Sequence, residues 1–160
     1  MSKLHHYSVN VTWTGNVGGG THTYDSYERT HVIEAEGKSP IDGSSDPAFR
    51  GDPERWNPEE LLVASLSACH KLWYLHLCSV NGIVVESYED AAMGVMRETA
   101  DGGHFERVVL RPSITIAPGG DVARANALHE EASAKCFIRN SVSFPVDHTP
   151  DIRVSVSSTP

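Results

Sequence analysis

The chain opens on an alternation of apolar and polar positions. Tyr7, Val9, Val11 and Trp13 occupy one set, and Ser8, Asn10 and Thr12 the other. Successive side chains of a strand point to opposite faces, so residues 7–13 predict a half-buried strand. The stretch "TGNVGGGT" follows as a turn; it lacks the Gly-Lys-Ser/Thr ending of a phosphate loop. Residues 23–27 and 30–35 predict further strands, which together make an N-terminal antiparallel meander. Residues 37–56 are rich in Gly, Pro, Ser and Asp and predict a long irregular connection.

The pattern then changes period. Asn57 can cap a helix, Pro58 suits its first position, and Glu60 completes an arrangement like a capping box. The helix is expected to run to about Val80, where Asn81-Gly82 supplies the stop. Its apolar residues, from Leu61 to Leu77, cover most of the circumference, which predicts a buried helix. Glu59 and Glu60 precede it and His70, Lys71 and His76 interrupt it, so it does not read as a membrane span.

Residues 83–97 and 104–117 predict two longer strands around the "DGG" turn at 101–103. A second helix is expected over about 121–138, capped by Asp121. Its inward stripe is Ala125, Leu128, Ala132 and Cys136, at spacings of three and four. Ile152, Val154 and Val156 alternate in a closing strand at 151–157. The order strands, helix, strands, helix, strand argues an α+β fold, antiparallel sheet packed on a buried helix pair. At 160 residues a single domain, 1–160, is expected.

Charge narrows the partners. A net charge of −8 argues against nucleic acid, which needs a basic face. The start of the chain moves straight into strand-like residues without a secretory pattern, and three cysteines do not suit a secreted disulfide scaffold. A cytoplasmic protein is expected. In that compartment paired cysteines tend to be catalytic or redox-sensing.

The three cysteines are not equivalent. Cys78 lies nine residues after Cys69, roughly the opposite side of a helix at about 100° per residue, so it reads as a core thiol. Ser65, Ala68 and Cys69 form a small-residue patch that a second helix can approach closely, and Cys136 can face it. Spacing alone leaves two readings open, a redox pair or two inert core thiols. A metal site is not expected. Cys69 and His76, and likewise His129 and Cys136, are separated by about 10 Å of helix. No Cys-x-x-Cys or His-x-x-x-His spacing occurs. His5, His6, His22, His31, His104 and His148 are scattered and read as solvated.

The stretch "WNPEELLVASLSACH" resembles the signature of the OsmC/Ohr family of thiol peroxidases, and "AKCFIRNSV" its second cysteine segment. The order of elements is similar throughout the chain. The resemblance implies an OsmC-like α+β fold, with antiparallel sheets around two central helices in an intertwined homodimer. It also implies reduction of organic (alkyl or fatty) hydroperoxides in oxidative-stress defence, without metal or cofactor.

Cys69 matches the peroxidatic cysteine, Cys136 the resolving one and Glu59 the motif glutamate. An arginine from the segment before the helix is implied; Arg50 in "AFRGD" is the first choice and Arg55 the alternative. A thiolate attacks peroxide oxygen, an arginine favours the thiolate, and a carboxylate can hold that arginine. The sulfenic acid on Cys69 would condense with Cys136. The implied reductant is an external lipoyl-type dithiol or lipoylated protein, with other thiols as a weaker substitute. Leu and Trp around the site favour bulky substrates over hydrogen peroxide.

Phe137 stands where a Pro usually follows the second cysteine, and His70 where an aromatic or aliphatic residue is common. Both point to a sister branch. His70 turns about 100° away from Cys69, against a role as its general base. Glu59 lies ten residues before Cys69 on one predicted helix, a rise of about 15 Å. It is therefore expected either to reach a site across a dimer interface or to be only a helix-start charge facing the helix dipole. The alternative function on the same fold is a small-molecule-binding or redox-sensing protein without efficient turnover.

Overall fold

The computed structural model describes residues 3–156. They fall into two compact units, Met1–Leu61 and Leu62–Pro160. Residue 157, at the end of the expected closing strand, lies outside the described residues.

The first unit holds an antiparallel three-stranded sheet in the order β1 (Asn10–Trp13), β2 (His31–Glu34) and β3 (Ile41–Gly43). The predicted strand at 7–13 is shorter than its alternation, and its apolar face is not buried: Val9 is 69% and Val11 58% exposed. Residues 23–27 are a turn rather than a strand. Thr23 and Ser26 bond each other through backbone and side chain, and Arg29 stacks over the rings of Tyr24 and Tyr27. Such local side-chain bonds offer the backbone an alternative to a ladder.

The connection 37–56 is ordered rather than irregular. It contributes β3 and a 3-10 turn at Pro47–Phe49, whose first N–H groups are met by Asp46 Oδ1 accepting from Ala48 N–H at 2.7 Å. Gly43 bridges Trp56, and Ser44 N–H donates to the Trp56 carbonyl at 2.9 Å. Gly51 is obligatory there, since a Cβ would lie 1.5 Å from the Ser45 carbonyl oxygen.

Helix α1 spans Pro58–Val80. The capping box forms as predicted: Glu60 N–H donates to Asn57 Oδ1 at 2.7 Å, and Asn57 N–H to Glu60 Oε2 at 3.2 Å. The helix ends where Asn81-Gly82 turns the chain, with Gly82 at a φ of 72°. It is not buried all round. Leu66, His70, Tyr74, Leu77 and Cys78 form the buried face, whereas Ala64, Ala68 and Leu72 are exposed.

In the second unit each predicted long strand is a track that bends from one sheet into another. The first track is β4 (Val85–Asp90) and β5 (Met93–Thr99). The second is β6 (Gly102–Leu110) and β7 (Pro112–Ile116), separated only by Arg111. Asp90 fixes the bend, accepting from Arg111 N–H at 2.7 Å and from the Ser67 hydroxyl. A third track, β8 (Val146–His148) and β9 (Asp151–Val154), follows helix α2 (Val122–Lys135). The resulting sheets are β4-β7-β9 and β5-β6-β8.

The tracks carrying β4–β5 and β6–β7 pair antiparallel, as expected. The third pairs parallel to β6–β7, which corrects a purely antiparallel reading. Parallel neighbours need a long crossover, and α2 lies within it. One core joins Tyr74, Leu77 and Cys78 of α1 to Ile114 and Ile116 of β7 and to Ala125, Leu128 and Ala132 of α2. A second gathers Leu66 with Val108 and Leu110. The fold class is α+β, as the element order predicted.

Candidate active site

Cys69 lies in the middle of α1, half-buried, and its thiol is free. Cys136 is fully buried, also free, and stands one residue beyond α2. The helix predicted to 138 stops at Lys135. Cys136 is its C-cap, with an extended ψ of 112°, and a short 3-10 turn at Arg139–Ser141 follows. That turn aims the Arg139 N–H at Cys136 Sγ, 3.4 Å away. Asn140 anchors the same loop by donating to the Ala134 carbonyl at 3.0 Å.

The two thiols are neighbours, close enough for the Cys69 side chain to act on Cys136. Burial pushes the Cys136 thiol up to about 11, the Arg139 N–H opposes this, and the adjacent Cys69 side chain raises it further. Cys136 is therefore a protonated thiol at neutral pH, beside a more accessible cysteine. Trp73, one turn beyond Cys69, meets Phe137 edge to face at 5.5 Å, and the Lys135 ammonium lies 5.8 Å from the Trp73 ring. Phe137 is exposed, so an aromatic edge flanks the thiol pair. Cys78 stays apart, buried in the apolar core with its thiol raised by burial.

The remaining expected residues belong to the first unit. Arg50 follows the 3-10 turn in the left-handed region, at a φ of 64°, the only non-glycine residue there among those described. A backbone held in that region is a cost that tends to mark functional positions. Its guanidinium lies 6.0 Å from the Tyr24 ring. Arg55 is already paired, with Asp42 at 3.4 Å and Asp52 at 3.3 Å. Glu59 opens α1, and its Oε2 is buried without a hydrogen-bond partner. A buried carboxylate oxygen in that state calls for a donor.

One constellation escaped the sequence. His70, His129 and His148 gather in the core of the second unit. His70 Nε2 and His129 Nδ1 are 2.9 Å apart and hydrogen-bonded, with nearly parallel rings. The Tyr74 ring stacks on His129 at 3.9 Å. The His148 ring lies 5.5 Å from that of His70 and 5.7 Å from that of His129, and its Nε2 is 3.3 Å from Glu130. His148 is thus not a solvated histidine. Burial, then the charge of His148, lowers His70 to about 4. Burial, then the charges of His70 and His148, lowers His129 to about 3. The available signal was the stripe Ala125–Leu128–Ala132, on which His129 falls by its spacing of four from Ala125. No group of three or more His, Cys, Asp or Glu among the described residues is arranged to hold a metal ion.

The α+β arrangement of two helices and mixed sheets defines a class of fold, and comparison with known proteins agrees. The profile of the family described as OsmC-like protein matches residues 51–151, and the chain belongs to that family. It is similar to the OsmC-like protein of unknown function VCA0330 from Vibrio cholerae, with a TM-score of 0.84 and 30% identity over 92% of this chain and 100% of the other. It is also similar to an organic hydroperoxide resistance protein from Legionella pneumophila, with a TM-score of 0.67 and 22% identity over 97% of this chain and 100% of the other. The Bacillus subtilis protein YmaD is 24% identical over 89% of this chain and 90% of its own length. No helix among the described residues is long and apolar enough to cross a membrane.

Proposed function

We propose that this protein reduces organic hydroperoxides through its two thiols, as a cytoplasmic, thiol-dependent peroxidase in oxidative-stress defence. The observation that carries the reading is the meeting of a half-buried Cys69 with a buried, protonated Cys136. The Cys69 thiolate attacks the distal peroxide oxygen, the S–O bond forms as the O–O bond breaks, and the alkoxide leaves as the alcohol after taking up, through solvent, the proton the thiol had released. The sulfenic acid on Cys69 then condenses with the Cys136 thiol; the S–O bond breaks, the S–S bond forms, and water leaves. An external dithiol of the lipoyl type reopens the disulfide, with no resident cofactor or metal.

Trp73 and Phe137 favour bulky, apolar peroxides. Arg50 is the arginine of the site rather than Arg55, whose guanidinium already holds two aspartates. Glu59 is its carboxylate partner. Because α1 is continuous, Glu59 stands about 15 Å along the axis from the Cys69 of its own chain, so it serves the site of the partner in a homodimer.

The test is consumption of cumene hydroperoxide in the presence of dihydrolipoamide. Cys69→Ser is expected to abolish it, and Cys136→Ser to stop after one turnover per site. Undiminished consumption by Cys69→Ser would overturn the reading.

A further inference from the structure

We propose that the buried His70–His129 hydrogen bond is a positioning device that holds α1 and α2 in the register at which Cys69 and Cys136 can join. The inference deepens the function proposed above and rests on its thiol pair, not on turnover with peroxide.

Inside the core the two helices otherwise meet through apolar residues, Tyr74, Leu77 and Cys78 against Ala125, Leu128 and Ala132; the exposed Arg124 guanidinium donates to Asn81 Oδ1 just beyond the end of α1, remote from the thiols. Apolar attraction is non-directional and fixes neither a rotation nor a register. The His70–His129 bond does fix one. At 2.9 Å it joins one named nitrogen on each helix, and among the described residues it is the buried side-chain hydrogen bond between α1 and α2. Its location matters as much as its geometry. His70 is the residue after Cys69, and His129 is seven residues before Cys136, about 10 Å along a stiff helix. A shift at the imidazoles is therefore carried to both sulfurs.

Disulfide formation is sensitive to such a shift, because Cβ atoms must come within about 3.5–4.5 Å at a restricted dihedral angle. The pair is also suited to the role chemically. Both rings are kept neutral by burial, so one nitrogen donates and the other accepts at neutral pH. His129 Nε2 has no partner. The core thus tolerates one orphaned nitrogen in order to keep the other bonded, which an apolar side chain of similar size would avoid. His148, in β8, and Tyr74 close the remaining sides of the ring pair.

The experiment measures closure of the Cys69–Cys136 disulfide by diamide in the reduced full-length protein, followed by quenched alkylation and mass spectrometry. Diamide takes the two electrons and two protons of the thiols and becomes its hydrazine, so no peroxide chemistry is involved. His129→Leu is expected to slow closure about tenfold or more, since small misplacements of reacting groups carry such factors. His129→Asn, whose amide can stand at the Nδ1 position, is expected to recover most of the rate. Sulfenylation of Cys69 by one equivalent of peroxide, trapped with dimedone in a Cys136→Ser background, is expected to change less than closure does.

Closure by a folded His129→Leu within about twofold of the parent would overturn the inference, and so would an Asn variant as slow as the Leu variant. If His129→Leu does not fold, the comparison of His70→Leu with His70→Gln carries the same test from the other helix. A parent protein that closes with diamide but does not consume peroxide leaves this inference standing and sinks only the peroxidase reading. A parent that never closes overturns both.

Discussion

At the residue scale, environment separates side chains that composition treats alike. Three cysteines have three surroundings: Cys69 is half-buried, Cys136 is buried beside it, and Cys78 lies in apolar core. Two arginines in one loop differ in the same way. Arg55 holds Asp42 and Asp52, whereas Arg50 sits in a strained backbone region and makes no ion pair among the described residues, its charge reaching only the exposed Asp25 from a distance. Arg50→Ala is expected to lower kcat/KM for cumene hydroperoxide by about a hundredfold, the scale on which a lost charge-stabilising donor acts. Arg55→Ala is expected to leave kcat/KM within a few-fold and to cost no more than about 1 kcal/mol of stability, because its ion pairs are partly solvated. Steady-state kinetics and urea denaturation of the two variants measure both effects, and equal losses of activity would count against Arg50. The difference between the arginines was not legible in the sequence, since it depends on which aspartates the loop brings near. The difference between Cys69 and Cys78 was legible, since it follows from helical pitch alone.

At the element scale, α1 is where local chemistry dominates. Asn57, Pro58 and Glu60 start it within one residue of the expected place, and Asn81-Gly82 ends it. Replacing Asn57 by Ala removes the acceptor for Glu60 N–H. A loss of about 1 kcal/mol in the free energy of unfolding is expected, read from the urea midpoint at constant m-value. The strands were less legible. The sequence shows two long apolar tracks, and nothing in their period marks the bends at 91–92 and Arg111. Those bends are set by tertiary contacts: Asp90 ties Arg111 to Ser67, and β6 and β7 supply side chains to different cores. The end of α2 was missed for a similar reason. Phe137 and Ile138 continue an apolar helical pattern, yet the following loop bonds the Cys136 and Ala134 carbonyls through Asn140 and turns the chain out.

At the scale of the whole molecule, the histidine cluster makes stability depend on acid. His70 and His129 are held below the ordinary 6.5, to about 4 and about 3. Between those values and 6.5 the unfolded chain binds more protons than the folded one. The stabilising contribution is therefore fully present above about pH 6.5 and falls as pH drops through about 4 and then 3. For His70 the loss is of order 3 kcal/mol at most. Urea midpoints from pH 8 to pH 4 are expected to decline below 6.5, and His70→Gln, which carries no charge at any of these values, is expected to flatten the decline. A parent and variant with parallel profiles would contradict this.

Exposed apolar positions bear on assembly. Tyr7, Val9 and Val11 in the first unit and Leu72 in the second remain uncovered in one chain. The proposed homodimer covers such faces, and light scattering is expected to give about twice the 17.4 kDa chain mass. A monomer at micromolar concentration would leave Glu59 without the role proposed for it.

The opening alternation at 7–13 shows where local pattern stops being informative. The sequence by itself determined what depends on a few neighbouring residues: the caps and length of α1, the inward stripe of α2, the α+β order of elements, and the two cysteine segments. It could not decide whether an alternating strand would find a face to bury, because that depends on surfaces from elsewhere. Only the tertiary structure brought Cys136 against Cys69, sent the β8–β9 track alongside β6–β7, and placed His70 against His129 across 59 positions of sequence. The physical reason is the same in each case. Caps and stripes are stabilised within a turn or two of chain, whereas a buried imidazole or thiol takes its properties from whatever distant segment desolvates it.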